Sequence, residues 1–156
     1  MDSRPCLREG DNPLPTQGQA LRGNDNIMEI EVELSRIIID ETSDQQVIVL
    51  KEKAGDRSLP IVIGIVELMA IDRRRKGKTT LRPLTHDLLG NIIDALGAKV
   101  EKVVISDLRN HTYFATIHLN INGKNVKVDS RPSDAIAVGI ATNVPIYVAE
   151  HVFENI

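Results

Sequence analysis

The sequence is poor in the residues that fix a fold through sulfur. Its 156 residues include one cysteine, Cys6, so neither an intramolecular disulfide nor a multi-cysteine zinc site can form. That usage is compatible with a reducing compartment. Tryptophan is absent, and the aromatic residues are Tyr113, Phe114, Tyr147 and Phe153. So few aromatics argue against a platform on which single strands would stack. No run is long and apolar enough to span a bilayer, and the N-terminus lacks the apolar centre of a signal peptide. Together these point to a cytoplasmic protein. The formal net charge is -3, which excludes nucleic-acid binding by bulk charge and requires a local patch for any such role. A glycine-rich phosphate loop and a nucleophile elbow are both missing. The four histidines, His86, His111, His118 and His151, show no metal-ligand spacing.

What is present suffices for one domain. Apolar residues make up 42% and charged residues 26%, ordinary for a globular chain able to bury a core without staples. Residues 1–26 hold Pro5, Pro13, Pro15 and several glycines with no apolar period, and read as a flexible tail. The domain is expected over 27–156. From Met28 the pattern alternates: Met28, Ile30, Val32 and Leu34 against Glu29, Glu31, Glu33 and Ser35, a half-buried strand. Gln46–Lys53 reads as its hairpin partner and Leu59–Ile63 as a short third strand. A helix is expected from Gly64 to Lys76. A second starts after Pro83 with Thr85 as N-cap, placing Leu88, Leu89, Ile92, Ile93 and Leu96 on one face and ending at Gly97. Strands follow over Lys99–Leu108 and His111–Ile121. Asn122-Gly123 is a strong hairpin signal, with a return strand over Lys124–Asp129. A helix over Asp134–Ala141, a strand over Ile146–Ala149 and a short helical tail complete the chain. Many hairpins and few crossovers indicate an α+β fold: one compact domain, with a mainly antiparallel or mixed sheet and about three helices packed on it.

Four polar features could carry chemistry. Arg73, Arg74, Arg75, Lys76, Lys78 and Arg82 put six positive charges in ten residues. They read as a phosphate-binding patch or as a solvated helix end favoured by the dipole, each charge contributing about 0.3–1 kcal/mol. His86 and Asp87 open the second helix, where a histidine beside a carboxylate can bind a metal or act as acid or base, or where Thr85 simply caps the helix and Asp87 favours its start. Asp129, Ser130, Arg131, Ser133 and Asp134 open the third helix. Two carboxylates there could hold Mg²⁺ or Mn²⁺, as metal-assisted phosphodiester hydrolysis requires, or could pair with Arg131 while a serine caps the helix. Glu67 interrupts an apolar run, as partly buried site carboxylates do.

Taken together, the blocks Leu59–Gly64 with Glu67, Arg82–Leu88, Asp129–Ala137 and Pro145–Val148 resemble the bifunctional nuclease family, once a domain family of unknown function, over residues 28–156. The resemblance implies a compact α+β domain that assembles as a dimer or larger homo-oligomer, and a nuclease acting on DNA and RNA. Joined to the polar helix starts, it yields a candidate site. Glu67, His86, Asp87 and Asp134 would be catalytic. Asp129 and Asp134 would hold Mg²⁺ or Mn²⁺, and no organic cofactor is expected. Arg73, Arg74, Arg75, Lys78, Arg82, Arg131 and Ser133 would bind the substrate. The alternative is a non-catalytic homo-oligomeric binding or regulatory module, in which the polar blocks cap helices and form subunit contacts.

Overall fold

Period-two alternation drives much of the chain into strands. The computed structural model describes residues 28–156, and the tail expected over 1–26 lies outside them. Three strands come first: β1 (Glu29–Ile38), β2 (Gln45–Glu52) and β3 (Ser58–Gly64). They pair as consecutive antiparallel hairpins. Pro60 is tolerated because β3 is a sheet edge, where a missing N–H leaves no ladder partner unpaired. Helices α1 (Ile65–Arg75) and α2 (Thr85–Ala95) follow. Next come β4 (Ala98–Arg109), β5 (Thr112–Ile121), β6 (Lys124–Ser130), α3 (Pro132–Thr142), β7 (Ile146–Ala149) and the short α4 (Glu150–Glu154).

The strand order is β3-β2-β1-β7-β4-β5-β6. Strand β7 lies antiparallel to β1 and parallel to β4, with Val103 opposite Ile146 and Ile105 opposite Val148. It joins two antiparallel meanders into one mixed sheet, as the α+β reading expected. Helix α3 is the inner helix, with Ala135, Ile136, Ala137 and Val138 all buried. Gly139 lets it close on the sheet: a Cβ there would lie 3.0 Å from Val103 Cγ2. Helices α1 and α2 both pack on α3. Ile48, Leu50, Ile61, Ile105, Ile136 and Val148 are among the fully buried side chains. Each contributes about 1.5–3 kcal/mol through removal from water.

The turns show how local chemistry sets register. Asn122 and Gly123 both have positive φ, 52° and 82°, the conformation of a type I′ hairpin. A second two-residue reversal, missed in the sequence, joins β4 to β5. Asn110 and His111 adopt φ of 49° and 60°, so His111 belongs to the turn and β5 begins at Thr112. Asparagine and histidine are among the non-glycine residues that tolerate this region best.

Two expectations about helices need correction. Thr85 is the first residue of α2 and Leu84 is its cap; the Asp87 carboxylate accepts from the Leu84 backbone N–H at 3.1 Å. Helix α3 starts at Pro132, the position where a missing N–H costs nothing. Neither nearby serine caps it: Ser130 donates to the Arg131 carbonyl and Ser133 is buried. The apolar face of α2 points outward. Leu88, Leu89, Ile92 and Leu96 are exposed, Leu88 to 51% and Leu96 to 74%. His86 is buried, Gly90 approaches Thr142 and Ile93 packs against the core. Positions 86, 90 and 93 lie on one helical line. Contact of that line with α3 fixes the rotation of α2 and turns its leucine face outward.

Candidate functional site

Three helix starts converge. Glu67 lies in the first turn of α1, His86 in that of α2 and Asp134 in that of α3. Gly64 makes room for the first of these: a Cβ at that position would lie 2.6 Å from Glu67 Oε2. Helix N-termini carry partial positive charge and favour carboxylates. Arg131, the residue before α3, ties the group together. Its Nε donates to Asp134 Oδ2 at 2.8 Å and its Nη2 donates to Glu67 Oε1 at 2.9 Å. The other Asp134 oxygen meets His86 Nε2 at 3.3 Å. A continuous chain therefore runs Glu67–Arg131–Asp134–His86.

The chain is electrostatically coherent. Burial alone would raise the Asp134 carboxyl, but hydrogen bonds from Arg131 and His86 outweigh it and hold the group below its ordinary value. The Arg131 guanidinium is held more firmly charged, chiefly by Asp134. Glu67 is largely covered, with 13% of its side chain exposed, whereas Arg131 is 69% exposed.

His86 also lines a cavity of about 700 Å³ between α1, the connection 76–84, α2, α3 and the start of β4. Arg73, Arg74 and Lys78 line it, with Arg74 braced by a bond to the Ala141 carbonyl at 2.8 Å. Asp87, Asn91 and Asp94 line the α2 side. An Asp-oriented imidazole beside a basic cavity can move a proton next to a bound anion.

The fates of the sequence candidates differ. Glu67, His86, Arg131 and Asp134 are joined directly. Arg73, Arg74, Lys78 and Asp87 meet His86 at the cavity. Arg75 and Arg82 are exposed and are not among the residues lining it. Ser133 is buried in the first turn of α3. Asp129 is opposite Thr116 in the β5–β6 register, while the neighbouring pairs at Ala115 and Ile117 face the core. Directly opposed residues share a sheet face. Asp129 therefore projects from the face away from α3. Lys99, Asn91 and Asp94 were missed. The i, i+4, i+7 spacing of Asp87, Asn91 and Asp94 was visible, but it reads equally as a solvated helix face.

The donor set does not form a ready-made metal centre. Among the described residues, no group of three or more His, Cys, Asp or Glu side chains is arranged to hold an ion. Arg131 already supplies the positive charge between Glu67 and Asp134. Among the same residues no helix is long and apolar enough to cross a membrane.

The chain is 43% identical over 122 residues to an uncharacterized protein of Mycobacterium tuberculosis, covering 78% of this chain and 73% of that protein. It is 29% identical over 114 residues to bifunctional nuclease 2 of Oryza sativa subsp. japonica, covering 70% of this chain and 35% of that protein. It is also 29% identical over 108 residues to bifunctional nuclease 2 of Arabidopsis thaliana, covering 67% and 33%. The chain thus spans about a third of these plant relatives' length. The profile of the bifunctional nuclease domain matches residues 48–156, a stretch that contains every joined residue of the site, and the chain belongs to the bifunctional nuclease domain family.

Proposed function

We propose that the protein is a nuclease that hydrolyses phosphodiester bonds of DNA and/or RNA. The observation that carries the reading is the position of His86, held by Asp134 and lining the basic cavity. In this reading Arg73, Arg74 and Lys78 hold the phosphate and offset the charge that builds on it. His86 takes a proton from the attacking water, the new P–O bond forms and the bond to the leaving oxygen breaks. That oxygen takes a proton from solvent. Asp134 orients the imidazole, as the carboxylate of a catalytic triad does. Arg131 and Glu67 fix Asp134 in turn. The name of the plant relatives supports the activity class. Dependence on Mg²⁺ or Mn²⁺ is decided by the same assay.

The test is cleavage of labelled single-stranded and duplex DNA and RNA by wild type and His86→Gln, each with Mg²⁺, Mn²⁺ or EDTA. Loss of about 10²–10⁴ in rate in a folded variant supports the reading. Equal rates overturn it. Loss in EDTA would establish the metal requirement.

A second reading draws on the outward leucine face of α2. We infer a homo-oligomer, a dimer or larger, assembled through Leu88, Leu89, Ile92 and Leu96. An uncharged apolar face can pair with its own copy across a two-fold axis. Leu88→Glu should then dissociate the assembly in analytical ultracentrifugation, and an unchanged mass would refute the contact. A wild-type protein that assembles and cleaves nothing would be a non-catalytic binding or regulatory module.

A further inference from the structure

His86 borders two cavities. Beside the basic one lies a more apolar groove of about 380 Å³, and both volumes fall within the range of about 300–1,000 Å³ found for small-ligand sites. The two share a wall made of Ala70, Arg73, Pro83, Leu84 and His86. On the groove side the wall continues into Val66 and Met69 of α1, exposed to 65% and 54%. The charged and proton-transferring groups thus stand at the junction, with an apolar recess on one side and a polar, basic chamber on the other.

Nucleic-acid strands repeat that chemistry. Each phosphate lies between two nucleosides, and each base is a flat ring with polar edges and two faces that pack on apolar surface. We propose that the groove is a base subsite, so that the substrate is an unpaired segment bound as two consecutive nucleotides. One base would lie against Met69, Pro83 and Leu84, the linking phosphate at Arg73 and His86, and the next nucleotide in the basic cavity. This rests on the nuclease reading of the same site and adds its substrate class. The occupant follows from charge: an apolar recess whose inner wall carries Arg73 suits an apolar group attached to an anion. A base inside a duplex is stacked and paired, and must leave the stack to enter such a recess. Apart from Arg73, Thr85 and the His86 ring, the groove walls are aliphatic and thioether, so contact with the base is sequence-tolerant.

The test is equilibrium binding in EDTA, independent of cleavage, using the full chain. Thymidylyl-thymidine is compared with thymidine monophosphate, and a 12-nucleotide single strand with the same strand in a duplex. Wild type should bind the dinucleotide and the single strand roughly tenfold or more tighter than their counterparts, about 1.4 kcal/mol by conversion. Met69→Ser should lose most of that margin and Met69→Leu should keep it. Met69 is exposed, so neither change disturbs the core. Equal binding of dinucleotide and mononucleotide, or of single strand and duplex, overturns the subsite. A change of sedimentation mass in Met69→Ser overturns it too, because the groove would then be a contact between copies. If Met69-dependent dinucleotide binding holds while His86→Gln and wild type cleave alike, the catalytic assignment fails and the base subsite stands.

Discussion

Replacing Asp134 by Asn separates what the carboxylate does for the fold from what it does for chemistry. The variant keeps the shape and removes the charge. Two contacts weaken: the bond from Arg131 Nε at 2.8 Å and the contact with His86 Nε2 at 3.3 Å. Bonds to charged groups contribute about 1.5–3 kcal/mol when sheltered. Here 31% of the Asp134 side chain and 69% of the Arg131 side chain are exposed, and solvent screening reduces the expected loss to about 1 kcal/mol. A domain of this size should then melt about 4 °C lower at pH 7. The pH dependence is directional. The folded Asp134 carboxyl lies below its ordinary value, so its contribution is complete above the unfolded pKa of about 3.9. It disappears as pH falls through the lower folded value. The difference between wild type and Asp134→Asn should therefore be full at pH 7 and close below about pH 4. Thermal unfolding followed by circular dichroism at pH 7, 5 and 3 measures it. Cleavage at pH 7 should fall by about 10²–10⁴ if Asp134 orients His86. Equal melting at pH 7 would refute the carboxylate network. The expected melting loss with undiminished cleavage would refute the orienting role.

Three further outcomes follow from other parts of the fold. Burial, followed by the charges of Lys102 and Lys127, lowers the His118 imidazole, and Glu29 and Glu101 oppose this only in part. The unfolded chain therefore binds this proton more readily, and stability should fall as pH drops below about 6.5; His118→Gln should flatten urea-denaturation midpoints between pH 5 and 6.5, and an unchanged slope would count against it. His111 sits at φ 60°, where glycine is unstrained, so His111→Gly should raise stability by about 0.5–1 kcal/mol in denaturant titrations, and a loss would show that its side chain contributes more than its backbone costs. Gly139→Val places branched carbons where a Cβ alone would already lie 3.0 Å from Val103 Cγ2; it should cost about 1–3 kcal/mol or more, and a neutral result would mean that α3 can retreat from the sheet.

Local pattern carried much of this fold. Period-two alternation at Ile30–Leu34 and Tyr113–Ile121, the apolar small-residue run of α3 and the Asn122-Gly123 turn each act over a few residues, and each forms the element the pattern called for, although Met28 lies outside β1 and α3 begins two residues early. Glu67, His86 and Asp134 were legible as candidates because each is a polar residue at the start of a helix, which sequence alone can mark. Their joining was not legible. Residues 67, 86 and 134 meet only because α1 and α2 pack on α3, and Arg131 bridges a sequence separation that no local rule constrains. The face of Asp129, five residues before Asp134, was likewise set by strand pairing register and by no local motif. The packing on α3 also set the rotation of α2. Its amphipathic pattern fixes that one face is apolar, but a leucine face turned to solvent and one turned to the core have the same period. The line His86–Gly90–Ile93 against α3 decided between them, because close helix contact at Gly90 and the Asp134 contact at His86 hold only in that rotation.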